Sequence, residues 1–187
     1  MDAIADAEDW AQVLEGDGEA FGRIFDRRSA QVRRQAARLL DRRTDVEDAV
    51  AVVFLEAWRK RSAVRVVDGS LLPWLLVTTT NVARNSRRSR ARYEGLLARL
   101  PAPPAAPDPA SMVDEEGVLA VLRSLSRTDQ QVLTLCVLEG WPEREAAAAL
   151  GVAAGTVKSR LHRAKQRLAQ RMSPSTAAMT EGVRDGV

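Results

Sequence analysis

The side chains in this 187-residue chain best placed to do chemistry are arginines, and the chemistry they suit is phosphate binding. Residues 84–92 hold five Arg and no acid; residues 158–171 hold six Lys or Arg, again with no acid. Of 28 basic residues, 25 are Arg, whose planar fork matches phosphate oxygens two at a time. Leading into the first run, Thr78, Asn81 and Asn85 bring a hydroxyl and two amides to the spacing of one helix face, with Trp74 at the start of the same helix. Amides beside arginines suit bases and backbone together, and stacking on an aromatic is worth ~1–3 kcal/mol per base. Trp74 therefore reads either as a stacking platform for single-stranded or opened DNA or as a core aromatic. In the second run, Gly155, Thr156, Lys158, Ser159, Arg160, His162, Arg163 and Lys165 open a basic helix. One His and one Cys leave no Cys/His metal set, no disulfide framework and no nucleophile–base pair. No metal or cofactor site is expected, and no enzymatic one.

The elements that carry these residues read as helices throughout. Phe21, Ile24, Phe25, Val32, Ala36, Leu39 and Leu40 recur at helical spacing. Thr44-Asp-Val-Glu47 has the pattern of a capping box opening a second helix, striped by Val46, Ala49, Val50, Val53 and Ala57 with Phe54 and Trp58 beside it. A third helix starts near Pro73 and buries Leu75, Leu76, Thr79, Val82 and Ala83; its other face presents Thr78, Asn81, Asn85, Arg88 and Arg92. Pro101 to Pro109 carries five of the eight prolines and reads as an extended linker. Beyond it four helices are expected, near 113–124, 127–139, 142–150 and 155–171. Ser126 caps the second, Gly140 ends it, and Gly151 sits where a helix closes in a left-handed residue. Helix, tight glycine turn and longer basic helix make the outline of a helix-turn-helix, whose second helix enters the major groove. Its buried stripe is Val157, Leu161, Ala164, Leu168 and Met172. The fold class is all-α: two small helical domains joined by a Pro-rich linker. The longest apolar run, Leu71 to Val77, is far short of the ~20 residues of a membrane span, and an acidic start (seven acids in residues 1–20) is unlike a signal peptide. A soluble, cytoplasmic, nucleoid-associated protein is expected.

Two stretches resemble one family. Asp45-Val-Glu-Asp-Ala-Val-Ala-Val-Val-Phe-Leu-Glu-Ala-Trp58 resembles the segment of bacterial sigma factors that docks on core RNA polymerase, and Gly151 to Ala164, with its Gly-Thr-Val-Lys-Ser-Arg-Leu-His-Arg core, resembles their promoter −35-reading helix-turn-helix. Pro73-Trp-Leu-Leu with Thr80-Asn81 and Arg84-Asn85 resembles the element that captures the opened −10 strand. The order and the spacer resemble the extracytoplasmic-function group. The resemblance covers about residues 17–172 and implies region 2 over 17–100 and region 4 over 113–172, joined by the linker 101–112; an acidic stretch 1–16 and a tail 173–187 lie outside it. It implies polymerase contacts at Asp45, Glu47, Asp48, Val52, Phe54, Leu55, Glu56 and Trp58, and −10 contacts at Trp74, Thr78, Asn81, Arg84, Asn85, Arg87 and Arg88. Contacts to −35 DNA fall on Gly155, Thr156, Lys158, Ser159, Arg160, His162, Arg163 and Lys165. The implied partners are promoter DNA, the clamp helices of the polymerase largest subunit, the flap of the second-largest, and an anti-sigma factor. Two departures stand out: Ala51 and Val52 replace a Gln and an acid usual in the family, and Ala146 replaces a larger aliphatic. The alternative is a helix-turn-helix regulator that acts without polymerase.

Overall fold

The computed structural model describes residues 2–97 and 115–172, and within these it is helical, with no strand. The helices are α1 (Asp2–Leu14), α2 (Gly18–Leu39), α3 (Arg43–Arg59), α4 (Leu72–Leu97), α5 (Glu115–Ser124), α6 (Arg127–Leu133), α7 (Glu143–Leu150) and α8 (Ala154–Met172). The expected linker 101–112 and tail 173–187 lie outside the described residues.

Helices α2, α3 and α4 form the frame of the N-terminal half. α2 is capped by Asp17, whose carboxylate accepts from the amides of Glu19 and Ala20. α3 differs from expectation at its start: it begins at Arg43 behind Arg42, with no side-chain cap. Thr44 is exposed and Glu47 is drawn away by Arg33 of α2, whose Nε lies 2.9 Å from Oε1, so the capping box does not form. The apolar stripe holds: Val46, Ala49, Val50, Val53, Phe54 and Ala57 are buried. Between α3 and α4 the chain reverses at Asp68 and Gly69, with φ of 48° and 74°, closed by paired Val67 and Ser70 backbone hydrogen bonds. Asp tolerates this left-handed region better than most residues.

The acidic N-terminus is a packed element. Trp10 and Val13 of α1 are buried against Ile24, Val50 and Leu75, while Asp6 and Asp9 face the arginines of α2. Asp6 is fully buried; Arg27 and Arg28 donate to it at 2.6 and 2.9 Å. It also accepts the backbone amide of Leu71 at 3.0 Å, which ties α1 to the entrance of α4.

In the C-terminal half, Ser126 accepts from the amide of Asp129, as a cap should. The long helix expected over 127–139 widens after Leu133 into a π-turn at Thr134–Leu138. That extra residue turns Thr134 and Leu135 inward, where both are buried. Gly140 has φ 71°, and Pro142 precedes α7. Gly151 closes α7 at φ 66°, and α8 follows after three residues. Val157, Leu161 and Ala164 are buried and Leu168 partly so, but Met172 is exposed; the stripe ends one turn earlier than expected.

The two halves share a core. Leu39, Leu40, Leu72, Leu76 and Ala83 belong to the same buried cluster as Leu122, Leu125, Val132, Leu135 and Val157.

Candidate nucleic-acid and polymerase interfaces

Burying one stripe of α3 leaves the opposite stripe outward. Asp48, Ala51, Val52, Leu55 and Arg59 are exposed, with Val52 and Leu55 at 42% and 54%. Two neighbouring apolar side chains on a helix rimmed by charge suit a partner helix more than water. The acids here are partly engaged. Glu47 is held below the usual carboxylate range by the hydrogen bond from Arg33, and Glu56 by the one from Lys60. Asp45 accepts from Arg90 of α4 at 3.0 Å. Phe54 is a correction: at 3% exposure it belongs to the core, edge-on to Phe21 and Phe25. Trp58 is half-buried, with the Arg61 guanidinium 5.1 Å from its ring centroid.

Along α4, Trp74 and Thr78 are half-buried, and Asn85, Arg87 and Arg88 are exposed. Asn81 and Arg84 are not open to solvent in the way the sequence suggests. Gln131 of α6 donates to the Asn81 side-chain oxygen at 3.0 Å, and Arg84 donates to the Leu125 carbonyl at 3.3 Å. Arg87 donates to the Arg123 carbonyl at 2.8 Å. Sequence reasoning missed Arg123 and Gln131, because nothing local marks a partner dozens of residues away.

On α8, Gly155, Lys158, Ser159, His162, Arg163 and Lys165 are exposed, while Thr156 and Arg160 are half-buried. His162 shares a hydrogen bond with Gln166, and Arg163 donates to the Ser159 carbonyl one turn back. Arg160, Arg163, Arg167 and Arg171 also line a cleft of about 430 Å³ with Ser126, Thr128 and Asp129. Arg167 is held there by both oxygens of Asp129, at 2.7 and 2.9 Å. The single thiol, Cys136, is pushed up by burial and by nearby Glu143, opposed by Lys165, so it is a poor nucleophile at neutral pH. Among the described residues no cluster of His, Cys, Asp or Glu is arranged to hold a metal ion. No described helix is long and apolar enough to cross a membrane.

An exposed apolar-and-acidic helix face, an amide-and-arginine helix and a basic helix-turn-helix follow one another along the chain in that order. Residues 24–93 match the model of Sigma-70 region 2, and residues 115–168 match that of Sigma-70, region 4. The ECF RNA polymerase sigma factor SigM of Mycobacterium tuberculosis is 34% identical over 171 residues, 89% of this chain and 84% of that protein. The RNA polymerase sigma factor CarQ of Myxococcus xanthus is 28% identical over 159 residues, 82% of this chain and 90% of that one. Among solved structures, CnrH in complex with the cytosolic domain of CnrY superposes with a TM-score of 0.62 at 27% identity, covering 89% of this chain and 96% of CnrH. The chain belongs to the ECF group of RNA polymerase sigma factors, and its function is promoter-specific initiation of transcription.

Proposed function

We propose a division of labour among three helices. The outer face of α3, with Asp48, Val52, Leu55 and Glu56, docks on the clamp helices of the polymerase largest subunit, framed by Asp45, Glu47 and Trp58. Phe54 contributes from beneath, as the core residue that sets the helix on its neighbours. Trp74, Thr78, Asn81, Arg84, Asn85, Arg87 and Arg88 of α4 hold the opened −10 strand. Gly155, Thr156, Lys158, Ser159, Arg160, His162, Arg163 and Lys165 of α8 read the −35 duplex. By this reading region 2 spans 17–100, region 4 spans 113–172, and the protein acts in the cytoplasm at the nucleoid. It performs no catalysis of its own, and an anti-sigma factor is a further partner.

The observation that carries the reading is the exposed Val52–Leu55 pair on a charged helix face. A regulator that binds duplex DNA alone has no task for that face. At the docking site, Ala51 and Val52 substitute apolar area for polar groups, which favours contact with aliphatic stems on the partner helix.

The experiment is binding to bacterial core RNA polymerase with run-off transcription on genomic fragments. Lys158→Ala and Arg160→Ala each lower −35-dependent transcription roughly tenfold, at ~1–3 kcal/mol per base contact, and leave core binding intact. Leu55→Asp does the reverse. Loss of core binding in the α8 variants would refute the division; sequence-specific duplex binding without any polymerase binding would favour the regulator.

A further inference from the structure

We infer that Asp6 is a positioning residue for recognition of the opened −10 strand: from the acidic helix α1 it caps the first turn of α4 and so fixes Trp74. The inference rests on the assignment of α4 to that strand. It gives a task to a helix that lies ahead of the stretch resembling the family.

The start of α4 is poor in caps of its own. Leu71 and Leu72 carry no side-chain acceptor, and Pro73 has no amide to donate. The donors left without partners at a helix N-terminus are the amides of its first turn. Here two of them are met by one relay. The Leu71 amide donates to the Asp6 carboxylate at 3.0 Å, and the Leu72 amide donates to the Ser70 hydroxyl at 3.2 Å. That hydroxyl donates in turn to the same Asp6 oxygen, at 3.4 Å. Asp6 and Ser70 are 0% and 3% exposed, so the relay is closed to solvent. From the other side Arg27 and Arg28 donate to the carboxylate at 2.6 and 2.9 Å, which fixes its direction.

The relay governs a short piece of chain. Leu75 and Leu76 are buried, so from its second turn onward α4 is set by packing. Trp74 is half-buried and lies between the relay and those leucines. Upstream, the reversal at Asp68 and Gly69 closes with paired backbone bonds between Val67 and Ser70. Ser70 therefore joins the reversal, the α1 carboxylate and the first amides of α4 in one fixed unit. Without the carboxylate the Leu71 amide loses its acceptor and the Ser70 hydroxyl its anchor. The first turn then frays, and the Trp74 ring must be ordered again each time a base stacks on it. The outer face of α3 and the basic face of α8 take no part in the relay.

The test uses the full chain with bacterial core RNA polymerase and a promoter fragment, chosen by run-off transcription, whose −10 segment is pre-opened by mismatches. Core affinity and fragment affinity are read at a temperature where the variants keep wild-type helicity. Asp6→Ala should weaken binding of the pre-opened fragment about tenfold, the size of one lost base stack, and leave core affinity within about twofold. Asp6→Asn keeps an acceptor for the Leu71 amide and should recover most of the loss. Ser70→Ala removes one bond of the relay and should cost about threefold. Val32→Ala opens a cavity in the same core outside the relay; it should destabilise the chain and leave fragment affinity unchanged. In a Trp74→Ala background, Asp6→Ala should add almost nothing, because both changes remove the same stack. Additive losses, an equal loss in Val32→Ala, or a parallel loss of core affinity would each overturn the inference. So would full fragment affinity in Asp6→Ala, or in Ser70→Ala should Asp6→Ala fail to fold. If Trp74→Ala itself binds the fragment like the wild type, the −10 assignment falls as well; a Trp74 effect without an Asp6 effect refutes the positioning role alone.

Discussion

Asp6 offers the sharpest test of how the fold holds α4 in place. Its carboxylate is fully buried and accepts from Arg27, Arg28, the Ser70 hydroxyl and the Leu71 amide. Asp6→Ala removes the carboxylate facing Arg28, itself only 4% exposed, and strips the Leu71 amide of this acceptor. Breaking a buried ion pair from one side costs about 3–5 kcal/mol, and an unmade buried amide bond about 1–3 kcal/mol. The two losses share one cavity into which water can relax, so the sum is about 3–5 kcal/mol, a large share of the ~5–15 kcal/mol typical of a domain. In thermal unfolding that is a fall of about 10 °C at this chain length. Asp6→Asn keeps an acceptor for Leu71 but loses the charge, and should fall about half as far. Urea unfolding followed by circular dichroism checks both variants. A loss below about 1 kcal/mol for Asp6→Ala would mean that α1 is not docked on α2 and the entrance of α4.

Other perturbations report on separate elements. Gly151→Ala forces a side chain into φ 66° and drives its Cβ into the Arg65 guanidinium, which must swing away from the Ala148 carbonyl; a loss of about 1–2 kcal/mol is expected in denaturant unfolding. Arg167→Ala leaves the buried Asp129 carboxylate without the Nη1 donor that both its oxygens share, and should cost about 1–2 kcal/mol; Asp129→Asn in that background should recover part of the loss, a coupling that a double-mutant cycle reads directly. For Asp9, burial pushes the carboxyl up, but hydrogen bonds from Arg27 and Arg23 outweigh it and hold it below its ordinary value of 3.8. Its stabilisation is therefore present above about pH 4 and is lost as pH falls through the lowered value. The stability gap between wild type and Asp9→Asn should close on acidification, and a gap that is constant with pH would contradict the pairing.

What could be read in the sequence was what is decided locally. Ser126 and Gly151 act on amides and carbonyls within four residues, so their roles follow from spacing alone. The burial stripes of α3 and α8 follow from the helical period. The Thr44 box failed because Glu47 had a second suitor, Arg33, fourteen residues upstream in a packed neighbour. The acidic stretch 1–16 was given no packed role, because acids seldom sit in a core. Yet Asp6, Asp9 and Val13 fall at helical spacing, and Arg23 and Arg27 repeat at four, so a pairing of two helices was there to be found. The contacts of Asn81 with Gln131 and of Gln35 with Thr134 carried no such signal. Both bring together residues from opposite sides of the proline-rich stretch, and the second depends on a π-turn that no spacing announces.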